Sequence, residues 1–149
     1  MKKQLLISAL SVLVFFASCS KSDSDEGIIN PPTTEGVVAV SGDISTSTTW
    51  TADKIYLLKG NVYVTGNATL TIQPGTIIKG DKASKGSLVI TRGSKIGAVG
   101  TVDKPIVFTS NQPAGGRAQG DWGRLVLLGK AKNNIGTGVK IEGIADATD

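Results

Sequence analysis

The chain has 149 residues, with 16 lysines and arginines against 12 aspartates and glutamates, no histidine and a single cysteine. The lack of histidine removes the commonest general base and the commonest zinc ligand, and one cysteine excludes an intrachain disulfide. The formal charge of +4 shrinks when the leader is set aside: without Lys2 and Lys3, 14 basic residues face 12 acidic ones, about +2. No dense Lys/Arg patch interleaved with aromatics is present, so nucleic acid is not an expected partner.

Residues 1–18 read as a secretory signal peptide, with basic Lys2 and Lys3, an uncharged apolar run over 5–16, and small Ala17 and Ser18. The run falls short of the roughly 20 apolar residues that a spanning helix needs. Phe16-Ala17-Ser18-Cys19 resembles the lipobox of bacterial lipoproteins. The resemblance implies that Cys19 is lipidated and becomes the new N-terminus; an ordinary signal peptide flanked by a cysteine is the alternative. With about 0.8 kcal/mol gained per buried CH₂, several acyl chains anchor a protein where one does not. Residues 19–36 then hold the lipidated cysteine and a flexible tether, through Ser22-Asp23-Ser24-Asp25-Glu26 and Asn30-Pro31-Pro32. Acidic residues this soon after the cysteine resemble the export signal of Bacteroidetes surface lipoproteins. That implies a lipid-anchored protein at the bacterial outer membrane, exposed on the cell surface.

Residues 37–149 are rich in β-branched residues and glycine and show no amphipathic helical spacing. Leu70-x-Ile72-x-x-Gly75-Thr76-x-Ile78 returns further along as Leu88-x-Ile90-x-x-Gly93-Ser94-x-Ile96. A weaker copy, Ile55-x-Leu57-x-x-Gly60-x-Val62, precedes the first, and Leu125-x-Leu127 with Gly129 returns after an insertion. Self-similarity at a period of about 20 residues marks a solenoid. Residues two apart share a face of a strand, and glycine makes a corner with positive φ cheap; Gly80 and Gly100 are expected at the next corners. Asn-Gly and Asp-Gly hairpin turns are missing, which favours a right-handed parallel β-helix, an all-β fold, over a β-sandwich.

The run Thr69-Leu70-Thr71-Ile72-Gln73-Pro74-Gly75-Thr76-Ile77-Ile78-Lys79-Gly80 resembles a motif of Bacteroidetes cell-surface lipoproteins with parallel β-helix domains. So do Lys104-Pro105-Ile106-Val107-Phe108-Thr109-Ser110 and Gly120-Asp121-Trp122-Gly123. The resemblance implies the fold but assigns no activity. Such proteins continue through more rungs, so the expectation is a domain truncated at its C-terminus, after Val139-Lys140-Ile141-Glu142-Gly143. An open β-helix end is a sheet edge that invites pairing.

The glycine-rich insertion from Asn111 to Gly123 is the best candidate for ligand binding, because long loops on a rigid scaffold gather binding residues. Trp122 is suited to stack on a sugar, with Asp121 and Arg117 bonding hydroxyls at its rim; the plainer reading packs Trp122 on the solenoid and uses Asp121 to order the turn. A polysaccharide lyase needs a calcium cluster, with six to eight oxygen ligands, and a basic residue. Asp81, Asp103, Asp121 and Glu142 are the acids available and Arg92 or Lys79 the base, but the acids are scattered along the sequence. Lys79, Lys82, Lys85, Arg92 and Lys95 form a basic series, read as a solvated face or, alternatively, an acidic-glycan surface. Asn67-Ala68-Thr69 matches a glycosylation sequon but reads as a turn followed by a strand.

The sequence thus predicts a non-enzymatic structural or ligand-binding envelope protein with no catalytic residue, metal or cofactor. It would be held to the membrane through Cys19 and touch a surface glycan or another envelope protein. A carbohydrate-active enzyme and a non-functional fragment of a longer lipoprotein are the alternatives.

Overall fold

A computed structural model of the chain describes residues 36–131 and 134, all within the compact unit Pro31–Asp149. The signal peptide, Cys19, nearly all of the tether and the segment from Val139 to Gly143 lie outside the described residues. Nine strands occur among those described: β1 (Val37–Ile44), β2 (Thr48–Trp50), β3 (Ile55–Val64), β4 (Thr69–Ile72), β5 (Ile77–Gly80), β6 (Ser87–Ile90), β7 (Lys95–Ala98), β8 (Val107–Ser110) and β9 (Leu125–Leu127). Every pairing between them is parallel.

The pairing defines a coil with three sides. The first half of β3 pairs with β5 and its second half with β6, so one six-stranded sheet covers two sides and bends between them at Gly60, φ 64°. The third side is the sheet β2-β4-β7. Successive turns stack Val38, Tyr56, Ile78 and Phe108 on the first side, and Ile44, Val64, Ile90 and Leu127 on the second. Trp50, Ile72 and Ala98 stack on the third. This is an all-β parallel β-helix, as the sequence predicts.

Its core follows from the period-two alternation of strands. Leu58, Val62, Val64, Leu70 and Leu88 are fully buried, with Tyr56, Ile72, Ile78 and Ile90 beside them. Burying each large aliphatic side chain contributes about 1.5–3 kcal/mol. Trp50 stacks on Tyr56 with ring centroids 4.6 Å apart, and the Tyr56 hydroxyl accepts the Thr51 amide at 2.9 Å, so the one buried phenol keeps a partner.

The period differs from the one the repeat suggests. A full turn carries Ile55 onto Ile77 on the first side and Val62 onto Leu88 on the second, and both steps are longer than the shift between the two sequence copies. That shift instead takes Leu70 and Ile72 on the third side to Leu88 and Ile90 on the second side of the next turn. It spans two sides of a rung rather than a full turn. Each side presents the same strand–corner–strand grammar, so the sequence resembles itself between sides as readily as between rungs. The weaker copy is also one residue out of phase: Tyr56 and Leu58 join the core cluster, whereas Leu57 is only half-buried.

Gly80 likewise differs from expectation. It is the last residue of β5 and needs no positive φ; any Cβ there would collide with the Trp122 side chain. Gly75 and Gly93, at φ 87° and 92°, are corners of the expected kind.

Candidate functional site at the growing corner

Of the three corners, the second-to-third is nearly constant in length. Second-to-third corners take three residues at 45–47 and four at 65–68 and 91–94; third-to-first corners take four, 51–54 and 73–76, before lengthening to eight at 99–106. The first-to-second corner grows steadily. Between the ladder Val40, Leu58, Gly80, Ser110 and the ladder Gly42, Val62, Leu88, Leu125 the intervening residues number one, three, seven and fourteen. The first-to-second corner is thus the one that lengthens at every described turn, and its residues 81–86 and 111–124 are stacked as loops.

The lower loop is held by its own side chains. Asp81 Oδ2 accepts the Ser84 amide at 3.0 Å and the Ser84 hydroxyl at 2.6 Å, closing a local turn. The same hydroxyl accepts the Gly60 amide at 3.0 Å, tying the loop to the rung beneath. Lys85 sits in the left-handed region, φ 53°, and Gly86 passes so close to the Leu58 carbonyl that a side chain there would clash. These bonds to Ser84, together with Asn111, hold the Asp81 carboxyl below the usual carboxylate range.

The upper loop is fastened onto the lower one. Asn111 Nδ2 donates to Asp81 Oδ1 at 2.8 Å, while Asn111 Oδ1 accepts the Lys82 amide at 3.1 Å. Lys82 Nζ pairs with Asp121 Oδ1 at 2.9 Å, and Lys85 Nζ donates to the Gly120 carbonyl at 2.6 Å. Asp121 Oδ2 accepts the Ala118 amide at 2.8 Å and the Ser110 hydroxyl at 2.9 Å. The Ala118 amide first, then Lys82 and Ser110, pull its carboxyl down to about 2. Asp121 is buried, 2% exposed, whereas Lys82 is 49% exposed.

The three residues expected to touch a ligand therefore take different positions. Trp122 is half-buried, lies against Gly80 and stacks on Phe108, with centroids 6.3 Å apart and planes 15° apart. Asp121 is the buried hub of the upper loop. Arg117 is exposed at the rim, its Nε bonding the Gln112 carbonyl at 3.1 Å. Lys59, Ser84 and Ser110 belong to the same corner and escaped sequence reasoning; the spacing Asp81-x-x-Ser84 is the local signal that points to a side-chain-closed turn.

The basic series does not form one face. Lys79 lies on β5, Lys82 and Lys85 at the growing corner, Arg92 in the second-to-third corner and Lys95 at the start of β7. Arg92 Nε donates to the Gly129 carbonyl at 3.3 Å. Of the acids considered for calcium, Asp81 and Asp121 share the growing corner, Asp103 lies in the 99–106 corner and Glu142 is outside the described residues. Among the described residues no three His, Cys, Asp or Glu side chains gather as a metal cluster.

The family profile of the pectate-lyase-like beta helix domain matches residues 42–148, more than half of the chain. The chain belongs to that family. The match to this β-helix domain agrees with the parallel register of all the described strands. Searches of curated proteins and of solved structures return no match to the chain. The β-helix domain is thus established by profile and by architecture, and the chemistry of its corner rests on this chain's own residues.

Proposed function

We propose that the protein is a lipid-anchored lipoprotein of the bacterial outer membrane, of the Bacteroidetes surface type, whose β-helix presents a non-enzymatic glycan-binding corner. The observation that carries this reading is the use made of the two corner aspartates. All four carboxylate oxygens of Asp81 and Asp121 accept hydrogen bonds or an ion pair from within the loops. Both carboxyls are held below their ordinary range, so at neutral pH they are spent acids. A general acid or base needs a pKa near the working pH and a free path to substrate; neither carboxyl has such a pKa, and Asp121 is buried as well. They act as positioning residues that stiffen a ledge.

The ledge turns hydrogen-bonding groups outward. Arg117, Gln119 and Lys85 are exposed, and Gln112 and Trp122 are half-buried beside them. A rigid ledge with amide and guanidinium donors beside an indole suits sugar hydroxyls and ring faces, and preorganisation limits the entropy lost on binding. Cys19 supplies the attachment and the acidic stretch after it the surface address.

Two measurements test the proposal. Cys19→Ala is expected to move the protein from the membrane fraction to the soluble one; an unchanged distribution would sink the anchor. Incubation with a glycan panel, with and without chelator, is expected to give binding without shortened or unsaturated products. Turnover abolished by Asp121→Asn or Arg117→Ala would replace the binding reading with an enzyme.

A further inference from the structure

The growing corner is also where positive charge collects. Residues 59–61, 81–87 and 111–124 carry Lys59, Lys82, Lys85, Arg117 and Arg124 against only Asp81 and Asp121. The third-to-first corners balance, with Asp53, Lys54, Asp103 and Lys104, and the described second-to-third corners carry the two cations Arg92 and Lys130 with no acid, so the growing corner holds the larger number of cations. Burial sharpens the contrast. All five cations are exposed, whereas Asp121 is buried and Asp81 half-buried and bonded to Ser84 and Asn111 of the loops. Solvent therefore meets the cations of this corner far more than its carboxylates.

The cations are arranged along the axis of the coil. Lys59 stands on the rung of β3, Lys85 on the rung of β5 and β6, and Arg117 and Arg124 on the rung of β8 and β9. Neighbouring parallel strands lie about 4.7–4.9 Å apart, within the roughly 8–10 Å screening length of physiological salt. A chain laid along the corner meets at least one cation on each of three successive rungs. Lys82 is neutralised by Asp121 and does not join this row.

Resting on the reading of this corner as a glycan surface, we infer that its ligand is an anionic glycan, a linear chain bearing carboxylate or sulfate groups. Lys59, Lys85, Arg117 and Arg124 pair with successive acidic groups, and Trp122 with the neighbouring amides contacts the sugars between them. The interaction is electrostatic in large part, so it weakens as salt rises.

The test uses the full chain in detergent, with alginate as the carboxylated probe, dextran sulfate as the sulfated one and dextran as the neutral control. One or both anionic chains are expected to bind about tenfold or more tighter than dextran, with affinity falling as salt is raised. The exposed-site variant Lys59→Gln/Arg117→Gln/Arg124→Gln, checked for an unchanged circular dichroism spectrum, is expected to lose about tenfold in that affinity and most of its salt dependence. Dextran binding as tightly as the anionic chains would overturn the anion preference while leaving the glycan surface standing. Anionic binding that the triple variant retains in full would overturn the assignment to this corner. Failure of all three glycans would overturn the glycan reading itself, and binding to phosphatidylglycerol vesicles in their place would give the cations to the membrane.

Discussion

Asp121 receives the Ala118 amide, the Ser110 hydroxyl and the Lys82 ammonium on one buried carboxylate. Its pKa is about 2 in the folded chain, against about 3.9 when unfolded. A depressed folded pKa stabilises the fold above the unfolded value and loses that contribution as pH falls through the folded one. Stability is therefore expected to drop between about pH 4 and pH 2, and Asp121→Asn to flatten that part of the denaturation curve. An identical acid limb in the variant would contradict this. Gly80 is the second residue with a sharp prediction. Any side chain there meets Trp122, so Gly80→Ala is expected to cost about 1–3 kcal/mol by overpacking. In a Trp122→Gly background the same change should cost less, because the Cβ and ring carbon it meets first are both gone; equal costs in both backgrounds would show that Trp122 is not the obstacle.

At the scale of strands, the inward ladders carry the stability. Leu70 is fully buried between Thr48 and Ile96, while its neighbour Thr71 points outward and is exposed. Leu70→Ala is expected to cost about 2–5 kcal/mol in chemical denaturation, and Thr71→Ala to stay within about 0.5 kcal/mol. Comparable losses would mean that the inside and outside of β4 are misassigned. The alternation at Leu70, Ile72, Leu88 and Ile90 was legible because strand periodicity is local and glycine corners punctuate it. The rung length was not, because register between rungs is a long-range property and the corner between the first and second sides lengthens from turn to turn. For the same reason residues 111–124 stood out as an insertion, yet their attachment to residues 81–86 was invisible. The bonds from Asn111 to Asp81 and from Lys82 to Asp121 join positions far apart in the sequence and adjacent only once the rungs stack. For Trp122 the residue type alone offers both a ring for stacking on a sugar and one packed on the solenoid, and the contact with Gly80 and Phe108 that places it is formed only when the coil brings β5 and β8 beside the loop.

For the molecule as a whole, the β-helix separates scaffold from surface. Three sides of parallel sheet provide a support, and the corner between the first and second sides lengthens from turn to turn, its loops stacked and cross-bonded. A ledge built in this way requires no catalytic group to hold a polymer beside a cell, and the proposed lipid at Cys19 would place it there. The most direct measurement follows backbone amide resonances of the isotopically labelled full chain while an anionic glycan is titrated, with the size of the glycan monitored in the same sample. Shifts are expected to concentrate at residues 59–61, 81–87 and 111–124, with the polymer length unchanged. Shifts confined to β2, β4 and β7, or a polymer that shortens during the titration, would contradict a non-enzymatic binding corner.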